Sequence, residues 1–336
     1  MSKTILVTGG LGYIGSHTVV ELQAAGYDVV VIDNLNNSSQ EVKTRIEEIS
    51  GQSFELTVAD VNDNAALEEL FAKYNFEGVI HFAAHKAVGE SVDYPVMYYQ
   101  NNVSGLISLL GVMEKHAVSN LIFSSSCTVY GETKNPPVTE QTPIQKAESP
   151  YGTSKILCEE IITDYAKHKD FKSILLRYFN PVGAHPSSKI GELPLGVPNN
   201  LVPYITQTAA GIREQLTVFG DDYNTEDGTC IRDYIHVLDL AKAHVKALSY
   251  CDKMAERVDV FNVGTGNGNT VLEVIRAFET VNNLKLNYKI GPRRGGDIEK
   301  IFAETTKVND VLGWTAQYDI KDMMQHAWAW QQGLGE

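Results

Sequence analysis

Thr4-Ile5-Leu6-Val7-Thr8-Gly9-Gly10-Leu11-Gly12-Tyr13-Ile14-Gly15 is the stretch on which the fold turns. A short apolar run enters a glycine-rich turn, and Tyr13 to Ala25 then carries helix-compatible spacing up to Gly26, a residue suited to a helix C-terminus. In a strand-turn-helix setting, glycines at 9, 12 and 15 permit a tight turn, close approach of a pyrophosphate to backbone, and close helix-sheet packing. The helix N-terminus adds free N–H donors and the positive end of its dipole. An ordinary glycine turn could share the spacing, but it has no need of the setting.

The same alternation continues outward. Asp28-Val29-Val30-Val31-Ile32-Asp33 reads as a strand, 40–49 as a helix, 54–58 as a strand, 64–74 as a helix and Gly78-Val79-Ile80-His81-Phe82 as a strand. Helices over 97–115 and 151–168 and strands at Asn120–Ser124 and Ser173–Arg177 extend the series. Apolar strands alternating with helices imply a parallel sheet covered on both faces, so the fold class is α/β, a Rossmann-type doubly wound sheet. Past Arg177, Asn180 to Pro186 and Pro194 to Pro203 have loop composition. A dinucleotide-binding domain is expected over 1–179 and a smaller mixed α/β substrate domain over 180–336. Tyr234 to Leu248 predicts a helix returning, over about 234–250, to the first domain.

The 336 residues allow one large or two interlocked cores. Forty-two acids against 28 bases give a net charge of -14, which opposes binding to nucleic acid or anionic membranes, so any phosphate must be held locally. No apolar stretch approaches the roughly 20 residues of a membrane span, and Met1 to Thr4 has no signal-peptide layout. A soluble, cytoplasmic protein is expected. Cys127, Cys158, Cys230 and Cys251 are scattered without CxxC or zinc-type spacing, which predicts reduced structural thiols. His81 and His85 stand four apart on a strand running into a loop with no third ligand nearby, so no metal site is expected.

Asp33, 18 residues past Gly15 at a strand end, is placed to accept from both hydroxyls of an adenine ribose, and its charge would repel a 2'-phosphate; this favours NAD over NADP. Asp60 and Phe82-Ala83-Ala84 with Lys86 follow the next strands and should line the adenine and phosphates. Tyr151-Gly152-Thr153-Ser154-Lys155 sets a phenol and an ammonium one helical turn apart. At about 4 Å and an effective dielectric near 20, that cation is worth roughly 4 kcal/mol to a phenolate, which predicts a Tyr151 pKa drawn from 10 toward 7. Such a base could take a substrate hydroxyl proton while hydride leaves the same carbon for a nicotinamide. Taken alone, Tyr-x-x-x-Lys is usually a solvated helix face. Here Ser124-Ser125-Ser126-Cys127-Thr128 follows the fifth strand, and Ser126 could bond the reacting oxygen, so three independent features converge on one cleft.

These residues resemble the extended short-chain dehydrogenase/reductase family, and more narrowly its UDP-galactose 4-epimerase branch. The resemblance rests on Thr8 to His17, Lys86-Ala-Val-Gly-Glu-Ser91, Arg177 to Pro186, Pro198-Asn-Asn-Leu201 and Arg232-Asp-Tyr-Ile-His-Val237. It implies that Tyr151 is the base, Lys155 its electrostatic tuner and ribose anchor, and Ser126 the donor to the sugar oxygen. It further implies NAD contacts at Tyr13, Ile14, Asn34, Asn37, Ser38, Val61, Asn101, Ser124, Tyr178 and Phe179. Lys86, Asn180, Asn200, Leu201, Thr217, Val218, Phe219, Arg232, Arg294 and Asp297 would meet a UDP-sugar substrate, and Ile301 would form a wall of the sugar pocket. The family usually forms homodimers through the helices near 97–115 and 151–168. Nucleotide-sugar 4,6-dehydratases are the alternative, but they place an Asp-Glu pair where this chain has Cys127-Thr128. A nonenzymatic dinucleotide sensor would have little use for both Tyr151 and Lys155.

Overall fold

Parallel strands buried on both faces need no polar alternation, and the central strands here have none: Ile5, Leu6, Val7, Val79, Ile80, Leu121 and Ile122 are fully buried. The computed structural model describes residues 3–133, 135–295 and 297–334. Its first half runs β1 (Thr4–Thr8), α1 (Tyr13–Ala24), β2 (Asp28–Asp33), α2 (Glu41–Ser50), β3 (Glu55–Val58), α3 (Asn64–Lys73), β4 (Phe76–His81), α4 (Val88–Asp93), α5 (Pro95–Tyr98), α6 (Gly105–Lys115), β5 (Asn120–Ser124), α7 (Pro150–His168) and β6 (Lys172–Tyr178). The second half runs β7 (Asn180–Val182), α8 (Leu201–Ala209), β8 (Leu216–Phe219), β9 (Ile231–His236), α9 (Val237–Cys251), β10 (Val258–Val263), β11 (Gly268–Thr270), α10 (Val271–Asn282), β12 (Tyr288–Gly291), β13 (Lys300–Ile301), α11 (Thr306–Leu312) and α12 (Ile320–Gly333).

Seven strands form one parallel sheet in the order β10-β6-β5-β4-β1-β2-β3. After β3 at one edge the chain returns to lay β4 on the other side of β1, so a crevice opens where β1 and β4 end. One apolar cluster, with Val19, Leu240, Ala243 and Val308, covers one face, and a second, with Leu67, Leu109, Met113 and Ile162, covers the other. The small sheet is built around β9, which pairs with β7, β11 and β13; β8 and β12 make a separate pair.

Two local expectations are corrected. The helix read over 97–115 is broken: α5 ends at Tyr98, a π-helical turn spans Tyr99–Ser104, and α6 resumes at Gly105. From that turn Asn102 accepts from His85 N (2.8 Å) and donates to His85 O (3.0 Å) and Ser154 Oγ (3.1 Å), contacts outside any pattern of apolar spacing. The helix read from Tyr234 begins at Val237, because Ile231–His236 is strand; His236 caps the helix by accepting from Leu238 N (3.0 Å). Strand β10, which no sequence pattern marks, completes the large sheet beside β6.

Beneath the ends of β5 and β6 lies a buried ion pair. The Arg177 Nη2 and Nε atoms donate to the two carboxylate oxygens of Glu159 at 2.6 and 2.9 Å, and both side chains are almost wholly enclosed, at 6% and 5% exposure. Removing one partner of such a pair strands the other charge, at a cost of about 3–5 kcal/mol, whereas replacing both by apolar groups is often close to neutral. We therefore expect Arg177→Met to lower unfolding stability in urea by about 3 kcal/mol and Arg177→Met/Glu159→Met to lower it by less; equal stability of the single variant and the parent would show that the pair does not hold the fold.

Candidate active site

The turn after β1 is packed so tightly that side chains are excluded. Gly9 has φ +68°, and a Cβ there would stand 2.9 Å from Ala83 N; at Gly15 it would stand 2.2 Å from Gly9 O. Gly12 is the N-cap of α1 and has no side chain to satisfy the first N–H groups of the helix. Gly9 and Gly12 form one side of a groove that also runs past Asp33, Asn34, Asn37, Ser38, Asp60, Val61, Phe82, Ala83, Ala84 and Asn101. Ile32, Asn36 and Ala59 line it too, residues that no motif singled out, together with His85, weighed above only as a metal ligand.

Asp33 is held in place by its neighbours. Its Oδ2 accepts from Leu11 N (3.0 Å), while Oδ1 accepts from Leu35 N (2.9 Å) and Ser38 Oγ (2.8 Å). Burial would raise the Asp60 carboxyl, but donors from the Asn62 backbone, the Asn62 side chain and Asn34 outweigh it and hold the group below its usual range. The groove thus presents fixed carboxylates at one end and open helix N–H groups at the other, a polarity that fits an adenine ribose joined to a pyrophosphate. Tyr13 and Ile14 send their side chains elsewhere. The Tyr13 hydroxyl donates to Gly183 O (2.7 Å), and Ile14 packs against the core.

Further along the strand ends, Ser149 caps α7 by accepting from Gly152 N (3.2 Å), and Pro150 occupies the first turn. This entry sets Tyr151 and Lys155 on the buried side of the helix. Lys155 Nζ donates to Ser124 O (2.7 Å) and lies 4.9 Å from the Phe123 ring centroid and 5.9 Å from that of Tyr151. Ser124 Oγ and the Tyr178 hydroxyl share a 2.5 Å hydrogen bond. Ser126 Oγ accepts from Thr128 N (3.2 Å) and Thr128 Oγ1 (3.0 Å).

The predicted fall of the Tyr151 pKa is not realised. Burial pushes the phenol up, with a smaller push from the neighbouring Tyr178 phenol, and the Ser126 hydroxyl opposes them only in part. Burial also brings the Lys155 ammonium down to about 8, so the intended charge partner is itself easily neutralised. Sequence spacing set the two groups one turn apart, but the ammonium is turned to the Ser124 carbonyl rather than to the phenolic oxygen.

The residues expected to hold a nucleotide sugar fall in two groups. Arg294 donates to both carboxylate oxygens of Asp297 (2.8 and 3.2 Å) and its guanidinium lies 5.5 Å from the Phe219 ring centroid; Arg232 Nη2 comes within 4.0 Å of the same carboxylate. Lys86 and Asn200 instead both donate to Glu192 (3.1 and 2.8 Å), a loop residue that no motif marked. Asn180 opens β7 and Leu201 opens α8. Thr217 is half-buried, whereas the Val218 side chain packs inside the small-lobe core with Val182 and Ile205, so it could meet a ligand only through its backbone. Ile301 is 3% exposed, in a small apolar cluster with Cys127 and Phe179.

A family model described as GDP-mannose 4,6 dehydratase matches residues 6–327. UDP-glucose 4-epimerase 2 of Arabidopsis thaliana is 50% identical over 334 residues, 98% of this chain and 95% of that one. The structure of UDP-glucose-4-epimerase from Stenotrophomonas maltophila, with bound NAD and formylated UDP-arabinopyranose, superposes with a TM-score of 0.97 at 46% identity over 99% of each chain. That of UDP-glucose 4-epimerase from Bifidobacterium longum, in complex with NAD+ and UDP, gives 0.94 at 48% identity over 98% of each. With the glycine turn, the Asp33 anchor and the Tyr151-Lys155 helix all in place, and identity near one half along the full chain, the protein belongs to the UDP-glucose 4-epimerase family.

Proposed function

We propose that this protein interconverts UDP-galactose and UDP-glucose by inverting C4 of the sugar, with NAD as a retained cofactor. The observation that carries the reading is the make-up of the strand-end cluster: the buried Tyr151 phenol meets the Ser126 hydroxyl beside the Ser124–Tyr178 hydroxyl pair, and Cys127 and Thr128 rather than two carboxylates follow Ser126. The groove residues suit NAD in shape and polarity, with Asp33 at the ribose end and Gly9, Gly12 and Gly15 at the pyrophosphate. NAD held there would supply the hydride acceptor for C4 and return the hydride once the 4-keto sugar presented its other face.

The protein's own groups manage the proton. Tyr151, drawn into its phenolate form by the nearby Lys155 ammonium against the push of burial, accepts the C4 hydroxyl proton as hydride leaves that carbon and gives it back when hydride returns, so the cycle is redox-neutral. Ser126 hydrogen-bonds the C4 oxygen, and Lys155, fixed by the Ser124 carbonyl, holds a ribose hydroxyl and adds charge near Tyr151. Arg232 and Arg294 exchange part of their hold on Asp297 for the UDP diphosphate, and Phe219 lies beside the uracil. Dehydration is the weaker reading. Loss of water needs an acid and a base where Cys127 and Thr128 stand, and burial pushes the Cys127 thiol up to about 12 while the Thr128 hydroxyl is spent on Ser126.

Three finer readings accompany this one. Ile301, smaller than an aromatic and flanked by Cys127 and Phe179, leaves room for N-acetylhexosamines at the pocket wall. A homodimer through α6 and α7 is supported by Ile107 and Leu157, apolar and exposed on those helices at 54% and 37%. We place the protein in the cytoplasm, where its four free, buried cysteines would stay reduced.

The test is incubation of purified protein with UDP-galactose and no added NAD, resolved by chromatography. A UDP-glucose/UDP-galactose mixture without net NADH is expected, and a 4-keto-6-deoxy product would select dehydration instead. Tyr151→Phe should retain NAD but lose at least about a thousandfold in turnover, within the usual weight of a general acid-base group; full activity would remove Tyr151 from the mechanism. Ile301→Tyr should slow UDP-GalNAc more than UDP-galactose, and an unchanged ratio would acquit Ile301 as the gate. Light scattering should give about twice the 37.1 kDa chain mass, and a value near 37.1 kDa would refute the dimer.

A further inference from the structure

Glu192 lies outside every motif, yet three parts of the molecule meet on it. Its backbone is fixed from behind. The Trp330 indole N–H on α12 donates to Glu192 O (2.9 Å), and the preceding Gly191 sits so close to that ring that a Cβ would come within 2.5 Å of it. The turn before it is closed by His185 N donating to Ile190 O (3.0 Å). The side chain points the other way and is only 12% exposed, and a single oxygen, Oε1, accepts from both Lys86 Nζ (3.1 Å) and Asn200 Nδ2 (2.8 Å).

Asn200 is unusual in its own right. It is the N-cap of α8, a position at which asparagine normally accepts from the first turn, but here its side chain makes no capping bond. Its amide N–H is committed to Glu192, which leaves its amide oxygen and the open first turn of α8 facing outward. Lys86, 56% exposed and with two further N–H donors, would otherwise be a mobile surface ammonium. The Lys86 ammonium lies 5.7 Å from the ring of Tyr13, the first residue of α1. Two donors from opposite lobes, one after β4 and one before α8, are therefore aimed by one anchored carboxylate.

We infer that Glu192 is a positioning residue for the nucleotide-sugar site: it holds Lys86 and Asn200 in register across the cleft so that their remaining polar atoms receive the diphosphate-sugar portion of the substrate. This rests on the reading of the site given above. The role is geometric, since an uncharged amide oxygen at the same place could accept the same two hydrogen bonds. It predicts a loss of binding, with little effect on chemistry at Tyr151.

The experiment compares Glu192→Ala and Glu192→Gln with the parent, as purified with bound cofactor. For Glu192→Ala, KM for UDP-galactose should rise about tenfold, the weight of one charge-assisted hydrogen bond, with kcat within about threefold and an unchanged melting temperature. Glu192→Gln should return KM to within about twofold of the parent, since it keeps the acceptor. An Ala variant with parental KM, or a Gln variant as impaired as Ala, would overturn the inference. Calorimetric titration with UDP-galactose reads the same comparison as affinity, whether or not the sugar is turned over. A parent that binds but does not epimerise would thus reject the proposed reaction and leave the role of Glu192 decided by the titration.

Discussion

The ion pair between Arg177 and Glu159 is the contact on which the arrangement of the site depends. Glu159 stands one turn beyond Lys155 on α7 and also accepts from Ser125 Oγ (2.5 Å), the residue between Ser124 and Ser126. Arg177 comes from β6, next to Tyr178, and its Nη1 donates to the Tyr130 hydroxyl (3.1 Å), which donates in turn to Asn262 Oδ1 on β10 (2.6 Å). A single carboxylate thus joins the helix that carries the phenol, the segment that carries the hydroxyls and two neighbouring strands. Burial disfavours the Arg177 cation, but the two Glu159 hydrogen bonds outweigh that cost and keep it charged. Buried ion pairs of this kind add little net stability, so its value here is in register.

A second constraint is electrostatic. The chain carries a net charge of -14, and the cations proposed to receive phosphates are each met by an acid: Lys86 by Glu192, and Arg232 and Arg294 by Asp297. These carboxylates keep the donors aimed and limit the cost of the free state, while exposed arms such as Lys86 remain able to add a ligand oxygen. The glycine turn works differently. Its donors are backbone N–H groups at the start of α1, which cannot turn away and carry no full charge.

Much of this was legible in the order of residues. Fully apolar strands spaced by helical segments fix a covered parallel sheet, because no other arrangement buries both strand faces. The groove residues Asp33, Asp60, Phe82 and Ala83 were found because ligands in such sheets gather at strand ends. What failed shows where pattern runs out. Tyr234–His236 continues without a break into the helical spacing that runs to Leu248, and only pairing with β7 makes it the end of a strand. The π turn at Tyr99–Ser104 and strand β10 likewise depend on partners distant in sequence.

The sequence by itself determined the sheet, the glycine turn and the presence of one tyrosine and one lysine a helical turn apart, because each follows from periodicity or from local sterics. Tertiary structure alone decided where charge resides. It turned Lys155 to the Ser124 carbonyl, buried Tyr151 enough to raise rather than lower its pKa, placed Val218 in a core, and brought Glu192 to Lys86 and Asn200. These outcomes depend on desolvation and on hydrogen bonds between residues up to 106 positions apart, for which no spacing in a single chain is a guide.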